Sequence, residues 1–110
     1  MKDTNLELEI NLLHDRVCSA LSDSTRIMVL YLLSDRPLFV NEIADTLETP
    51  QSTISRHLRV LRERNLVETE REGTSIRYSL KDHRIIDALD LLRELLNDQI
   101  RSEAAITQSK

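Results

Sequence analysis

The sequence predicts a mainly α-helical domain in which four helices are followed by a two-stranded β-hairpin and a fifth helix. Three observations predict it. Apolar residues recur at helical spacing through most of the chain. The period changes to two only around Gly73, the single glycine. One glycine and two prolines in 110 residues leave few interruptions. That length suits one domain, expected to span 1–110 with its packed part over about 6–101 and a frayed tail over 102–110.

The elements follow in order. Leu6, Ile10, Leu13, Val17 and Leu21 keep a helical rhythm, predicting a first helix over about Leu6–Leu21. Ser22-Asp23-Ser24 breaks it and supplies an N-cap for the next. Ile27, Leu30 and Leu33 carry a second helix to about Ser34, and Asp35-Arg36-Pro37 ends it. Val40, Ile43, Ala44 and Leu47 mark a short third helix, with Asn41 near its start. Glu48-Thr49-Pro50 is a turn in which Thr49 is expected to cap and Pro50 to open the fourth helix. That helix runs to about Arg64, where Asn65 suits the left-handed terminal position.

Val67, Thr69 and Arg71 then alternate with Glu68 and Glu70, and Ile76, Tyr78 and Leu80 with Arg77 and Ser79. Gly73 sits between the two runs, where a positive φ costs it nothing. An isolated hairpin is marginal. This one is therefore expected to pack on the helices through Val67, Ile76, Tyr78 and Leu80. A last helix follows over about His83–Arg101. Its stripe of Ile85, Leu89, Leu92 and Leu96, widened by Ile86, Leu91 and Leu95, is broader than a small domain needs.

The fourth helix divides into two faces. Ile54, Leu58 and Leu61 form an apolar stripe. Ser52, Ser55, Arg56 and Arg59 fall on another face without a carboxylate among them, which suits phosphates and base edges. Two helices joined by a tight turn and followed by a hairpin make a winged helix-turn-helix, whose second helix enters the DNA major groove with its N-terminal residues nearest the bases. The candidate DNA contacts are Gln51, Ser52, Thr53, Ser55, Arg56, His57 and Arg59, with Arg71 and Arg77 on the wing. Gln51, Ser52, Ser55 and Arg56 are placed for base edges, Ser52 and Arg59 for phosphates. His57 has two readings, a phosphate contact or a half-buried histidine at the boundary of helix and core.

Charge is distributed to match. The chain carries a net charge of −4, but residues 51–77 hold six arginines against four glutamates, a net of +2. DNA responds to a local basic surface more than to the total.

The motifs Asp23-Ser24-Thr25-Arg26-Ile27, Val40-Asn41-Glu42-Ile43-Ala44, Gln51 through Arg62, Leu66-Val67 and Arg71-Glu72-Gly73 resemble those of the ArsR/SmtB repressors over roughly residues 10–100. The resemblance implies a homodimeric prokaryotic winged-helix protein, paired through its first and last helices, and in many members DNA is released when an inducer binds. The over-wide stripe of the last helix agrees, as do Leu8 and Leu12 on the first.

The sequence departs from the family at its metal sites. Phe39 and Asn41 stand where metal-sensing members carry thiolates, the ligands that soft metals demand. On the last helix Asp82 matches a second site, but Arg84 replaces the expected histidine, and Leu95 and Asp98 occupy the remaining pair. Ser24 replaces the family's usual proline. His14 and Cys18, four residues apart, are too few for a tetrahedral metal site in one chain. Cys18 reads more readily as a small buried side chain. One cysteine excludes an internal disulfide. Asp87, Asp90, Glu94 and Asp98 read as a solvated face. No cofactor is expected, and the inducer is unidentified.

No run approaches the ~18 apolar residues of a membrane span, and no signal-peptide pattern opens the chain, so a cytoplasmic protein is expected. Nothing indicates an enzyme, since no phosphate loop or nucleophile–base set is present. The leading expectation is a dimeric repressor on an inverted-repeat operator. The alternatives are a winged-helix regulator without an inducer, activator-like included, and a protein-interaction module.

Overall fold

The computed structural model describes residues 3–108. Helix α1 (Thr4–Leu13) is capped by Asp3, whose carboxylate accepts from the Asn5 and Leu6 amides. The helical path then changes pitch. His14–Cys18 form one π-helical turn and Ala20–Ser22 a 3₁₀ turn. The first helix expected over Leu6–Leu21 is thus regular only in its first part, a change the sequence does not reveal because the apolar rhythm continues unbroken across it. We call residues 4–22 the arm.

Helix α2 (Ser24–Asp35) starts at Asp23, whose carboxylate accepts from the Thr25 and Arg26 amides at 2.8 and 3.4 Å. It is the central helix, burying Val29, Leu30 and Leu33. Strand β1 (Leu38–Phe39) leads directly into α3 (Val40–Leu47), where Glu42 Oε1 accepts from the Phe39 amide at 2.9 Å.

Both helices of the central pair end in the same way. Glu48 takes the left-handed conformation (φ 50°) after α3, and Asn65 does so (φ 62°) after α4 (Gln51–Glu63). The Thr49 amide donates to Ala44 O and the Leu66 amide to Leu61 O, the six-to-one bond that closes such a terminus. Asn65 was expected there. Glu48 was not, since glutamate rarely signals that conformation. Thr49 does not cap α4 as expected. Its hydroxyl donates to Leu47 O, and Pro50 is the residue flanking α4, its carbonyl accepting from the Thr53 and Ile54 amides.

Strands β2 (Val67–Glu72) and β3 (Ser75–Leu80) form the hairpin, with Gly73 at φ 62° in its turn. The sheet has three strands rather than two. β1 pairs antiparallel with β3, in the order β1-β3-β2, setting Leu38 opposite Tyr78 and Phe39 opposite Arg77. A two-residue strand is too short to show a period in sequence. Val67 is buried and Tyr78 and Leu80 pack against the core, but Ile76 stays exposed near the tip.

Helix α5 (Arg84–Gln108) continues past the expected end at Arg101. Residues 102–108 are helical where a frayed tail was expected. Ser109 and Lys110, placed in that tail, lie outside the described residues. Ile86 and Leu89 enter the core, and the Tyr31 hydroxyl donates to Asp90 Oδ1 at 2.7 Å, tying α5 to α2.

One core joins α2, α3, α4, the sheet and the start of α5, with Leu30, Ile43, Ile54, Leu58 and Leu61 fully enclosed. The end of the arm reaches it, with Ala20 buried and Leu21 packed against it, while residues 4–13 and the rest of α5 lie outside. Leu6, Leu8, Ile10, Leu12 and Leu13 are about half exposed, as are Leu92, Leu95, Leu96 and Ile100. The radius of gyration is 17.4 Å, against roughly 13 Å for a folded chain of this length. Two amphipathic helices therefore project from the core with their apolar faces uncovered.

Candidate nucleic-acid interface

Helix α4 is fixed by its buried stripe, so its opposite face is fixed in turn. With Ile54, Leu58 and Leu61 enclosed, Gln51, Ser52, Ser55, Arg56 and Arg59 all face solvent. The first amides of this helix open beside them, a setting that favours anions. Thr53 is half-buried, and its hydroxyl accepts from Arg56 Nη2 at 3.4 Å, steadying the guanidinium. Arg59 bonds Glu63 at 3.3 Å with both groups well exposed, a pair that an approaching phosphate can displace at small cost.

An open groove of about 520 Å³ separates the starts of α3 and α4 from the wing; its walls include Asn41, Gln51, Ser55, Thr74, Ile76 and Tyr78. Its lining is largely polar side chains with donors and acceptors. Asn41 and Thr74 enter this groove although the sequence did not mark them as contacts. Only the packing of β1 and the wing beside α4 brings them there.

The two wing arginines differ. Side chains alternate between the faces of a strand. Arg71 lies opposite Ile76 and shares a face with Thr69 and Tyr78. It is exposed and outside every ion pair found among the described residues. Arg77 lies on the other face. Its guanidinium bonds Glu72 Oε2 at 2.9 Å and stacks 5.1 Å from the centre of the Phe39 ring. The pairing register separates the two, which sequence alone does not reveal.

His57 turns from the solvent face toward α2. Its side chain is 17% exposed, with Nε2 3.9 Å from Asp23 Oδ1 and Nδ1 3.4 Å from Arg26 Nη1. A guanidinium only donates, so Nδ1 accepts and the ring proton sits on Nε2. This side chain thus sits at the boundary of helix and core. Burial raises the Asp23 carboxyl, but the amides of Thr25 and Arg26, with His57 and Arg26 nearby, hold it below its ordinary value overall.

The metal positions do not fit a cation. Phe39 carries the wing arginine on its ring. Arg84 forks onto Asp82, with Nε 3.1 Å from both carboxylate oxygens and Nη2 2.7 Å from Oδ2. Those hydrogen bonds, with the Arg84 amide, hold the Asp82 pKa down at about 2. A metal at Asp82 would have to displace a bidentate guanidinium. His14 points to Asp15 at 3.3 Å, and Cys18 is exposed rather than buried as expected. Among the described residues no three His, Cys, Asp or Glu side chains gather as a ligand set, and no helix is long and apolar enough to cross a membrane.

Comparison with known proteins agrees with this architecture. The family model described as "Bacterial regulatory protein, arsR family" matches residues 23–69, from the cap of α2 into the wing. The chain is 40% identical over 77 residues to the HTH-type transcriptional regulator KmtR of Mycobacterium tuberculosis, covering 64% of this chain and 59% of that one. It therefore spans less than two thirds of KmtR. It is 38% identical over 80 residues to the uncharacterized HTH-type transcriptional regulator MJ1325 of Methanocaldococcus jannaschii, covering 72% of this chain and 90% of that one. In fold it is similar to the homodimeric winged helix-turn-helix DNA-binding domain of Mb0332 from Mycobacterium bovis, with a TM-score of 0.76 at 24% identity over 90% of this chain and 91% of that one.

Proposed function

Because the chain belongs to the arsR family of bacterial regulatory proteins, we propose that it is a homodimeric repressor that reads an inverted-repeat operator with α4. Members of this family are transcriptional regulators, not enzymes. The observation that carries the finer reading is the solvent face of α4. Gln51, Ser52, Ser55, Arg56 and Arg59 stand together without a carboxylate until Glu63, at the end of the helix.

In this reading Gln51, Ser55 and Arg56 meet base edges, where glutamine pairs with adenine and arginine with guanine. Ser52 and Arg59 hold the backbone. Arg71, outside the ion pairs found among the described residues and on the strand face of Ile76 and Tyr78, takes the adjacent phosphates or minor groove. Arg77 and His57 contribute indirectly, Arg77 by bracing the wing on Phe39 and His57 by facing α2.

Dimerisation supplies the two-fold symmetry. Leu8, Leu12, Leu92, Leu95 and Leu96 are too many large apolar side chains to leave half exposed on two projecting helices. A second copy covering them would bury α1 and α5 together and set two α4 helices at half-sites about one turn, roughly 10 base pairs, apart. The release signal is not a metal bound at the family's thiolate or α5 positions, given Phe39, Asn41 and the Asp82–Arg84 fork.

Fluorescence anisotropy with the protein's own promoter fragment tests this. About six phosphate contacts per dimer predict a roughly 10³-fold loss of affinity between 50 and 200 mM salt. Replacing Ser55 and Arg56 together by alanine should weaken binding by roughly 10–100-fold. Unchanged affinity in that variant would refute the reading-face assignment.

A further inference from the structure

The arm changes from α to π to 3₁₀ geometry over residues 14–22, and such changes leave carbonyls without regular helical donors. Within the arm, Ser19 O accepts from the Ser22 amide at 3.3 Å and the Ser22 hydroxyl at 2.7 Å, and Asp15 O accepts from the Ser19 hydroxyl. Two guanidiniums add further donors. Arg26 Nε donates to Ala20 O at 2.7 Å and its Nη2 to Ser19 O at 3.2 Å. Arg64, the residue that closes α4, donates through Nη1 to Asp15 O. Arg26 also reaches α4 directly, since its Nη1 donates to His57 Nδ1 at 3.4 Å. Its own position is held from behind by the Asp23 cap. Thus α4 is tied to the arm near its middle through Arg26 and His57 and at its end through Arg64.

We infer that Arg26 and Arg64 are positioning residues that clamp the reading helix to the arm, so that the spacing of two α4 helices in a dimer is set by this pair of guanidiniums. The role rests on the proposal that α4 reads DNA and the arm joins the dimer. Neither guanidinium lies on the solvent face of α4. Their effect is on where that face is held, not on what it contacts. A fork is needed at Arg26 because four acceptors, Ser19 O, Ala20 O, Ser22 Oγ and His57 Nδ1, surround one side chain; lysine presents a point charge in place of that planar fork. His57 is needed as an acceptor, a role that asparagine at this position can take over and leucine cannot.

The test compares duplexes carrying one half-site and two, both taken from sequences selected by the wild-type chain. Arg26→Gln and Arg64→Gln should each lose roughly tenfold or more on the two-site duplex and stay within about twofold on the single site, because avidity depends on simultaneous engagement. His57→Asn should retain two-site binding, and His57→Leu should lose it. A DNA-free measurement accompanies these. Nitroxides on the native Cys18 of the arm and on Ser52→Cys of α4 should give narrow spin–spin distance distributions that broaden in Arg26→Gln. Equal losses on both duplexes, or distances that stay narrow in Arg26→Gln, would overturn the clamp. If the wild-type chain selects no sequence at all, α4 is not a reading helix, and the distance measurement still decides whether the guanidiniums hold it.

Discussion

Replacing Leu58 by alanine separates the two faces of α4 by their energetics. Leu58 has no exposed surface and lies within the cluster formed by Val29, Leu30, Ile54 and Leu61. The substitution removes three carbons worth roughly 0.8 kcal/mol each in transfer, and a cavity term of order 1 kcal/mol adds to them, for a total of about 3.5 kcal/mol. That is about a 300-fold shift of the folding equilibrium, and in a domain of this size it lowers Tm by roughly 15 °C. Ser55 is three residues earlier but faces solvent. Ser55→Ala should move stability by less than about 0.5 kcal/mol. Thermal unfolding followed by circular dichroism, at one fixed protein concentration because a dimer's Tm depends on it, measures both. Comparable losses from the two substitutions would refute the orientation of α4, and with it the assignment of Gln51–Arg59 to an external surface.

Further outcomes follow from other parts of the structure. Asp23→Ala removes the acceptor for the Thr25 and Arg26 amides and should cost about 0.5–2 kcal/mol, measured by urea unfolding. The Asp82 carboxyl should titrate near pH 2 by NMR. Because its folded pKa lies below its unfolded one, the stability it contributes is complete above about pH 5 and fades as pH falls toward 2; Arg84→Ala should return the titration toward the ordinary carboxylate range. Leu92→Lys with Leu96→Lys, placing charge on the uncovered face of α5, should convert a dimer to a monomer in sedimentation velocity, while a single species of unchanged mass would argue against dimerisation through that face.

The legible parts of this fold were those with a local cause. The split of α4 could be read because an amphipathic helix writes its two faces at one period, and the structure encloses Ile54, Leu58 and Leu61 while leaving Ser52, Ser55, Arg56 and Arg59 outside. Gly73 and Asn65 could be read because few residue types suit a positive φ. Other features depend on partners distant in sequence. Strand β1 exists because Leu38 and Phe39 meet Tyr78 and Arg77, about forty positions on, and two residues carry no period of their own. The π turn at His14–Cys18 is hidden because Leu13, Val17 and Leu21 keep a helical rhythm across it. The continuation of α5 through residues 102–108 rests on helix-favouring residues such as Glu103, Ala104 and Ala105, not on an apolar stripe.

The candidate site divides along the same line. The helical part of the face follows from spacing. The contrast between Arg71 and Arg77 follows from strand register, and the inward turn of His57 follows from Arg26, thirty-one residues away. The identity of an inducer has no such trace, because the positions that hold metals in related proteins carry Phe39, Asn41 and a guanidinium-bound Asp82 here.

Selection of duplexes from a random pool by the full chain tests the reading face most directly. An enriched inverted repeat with half-sites about 10 base pairs apart is expected, with the enriched bases changing or the enrichment vanishing when Ser55 and Arg56 are replaced by alanine. Enrichment of no sequence, or of the same sequence to the same degree by that variant, would contradict the assignment of DNA reading to α4.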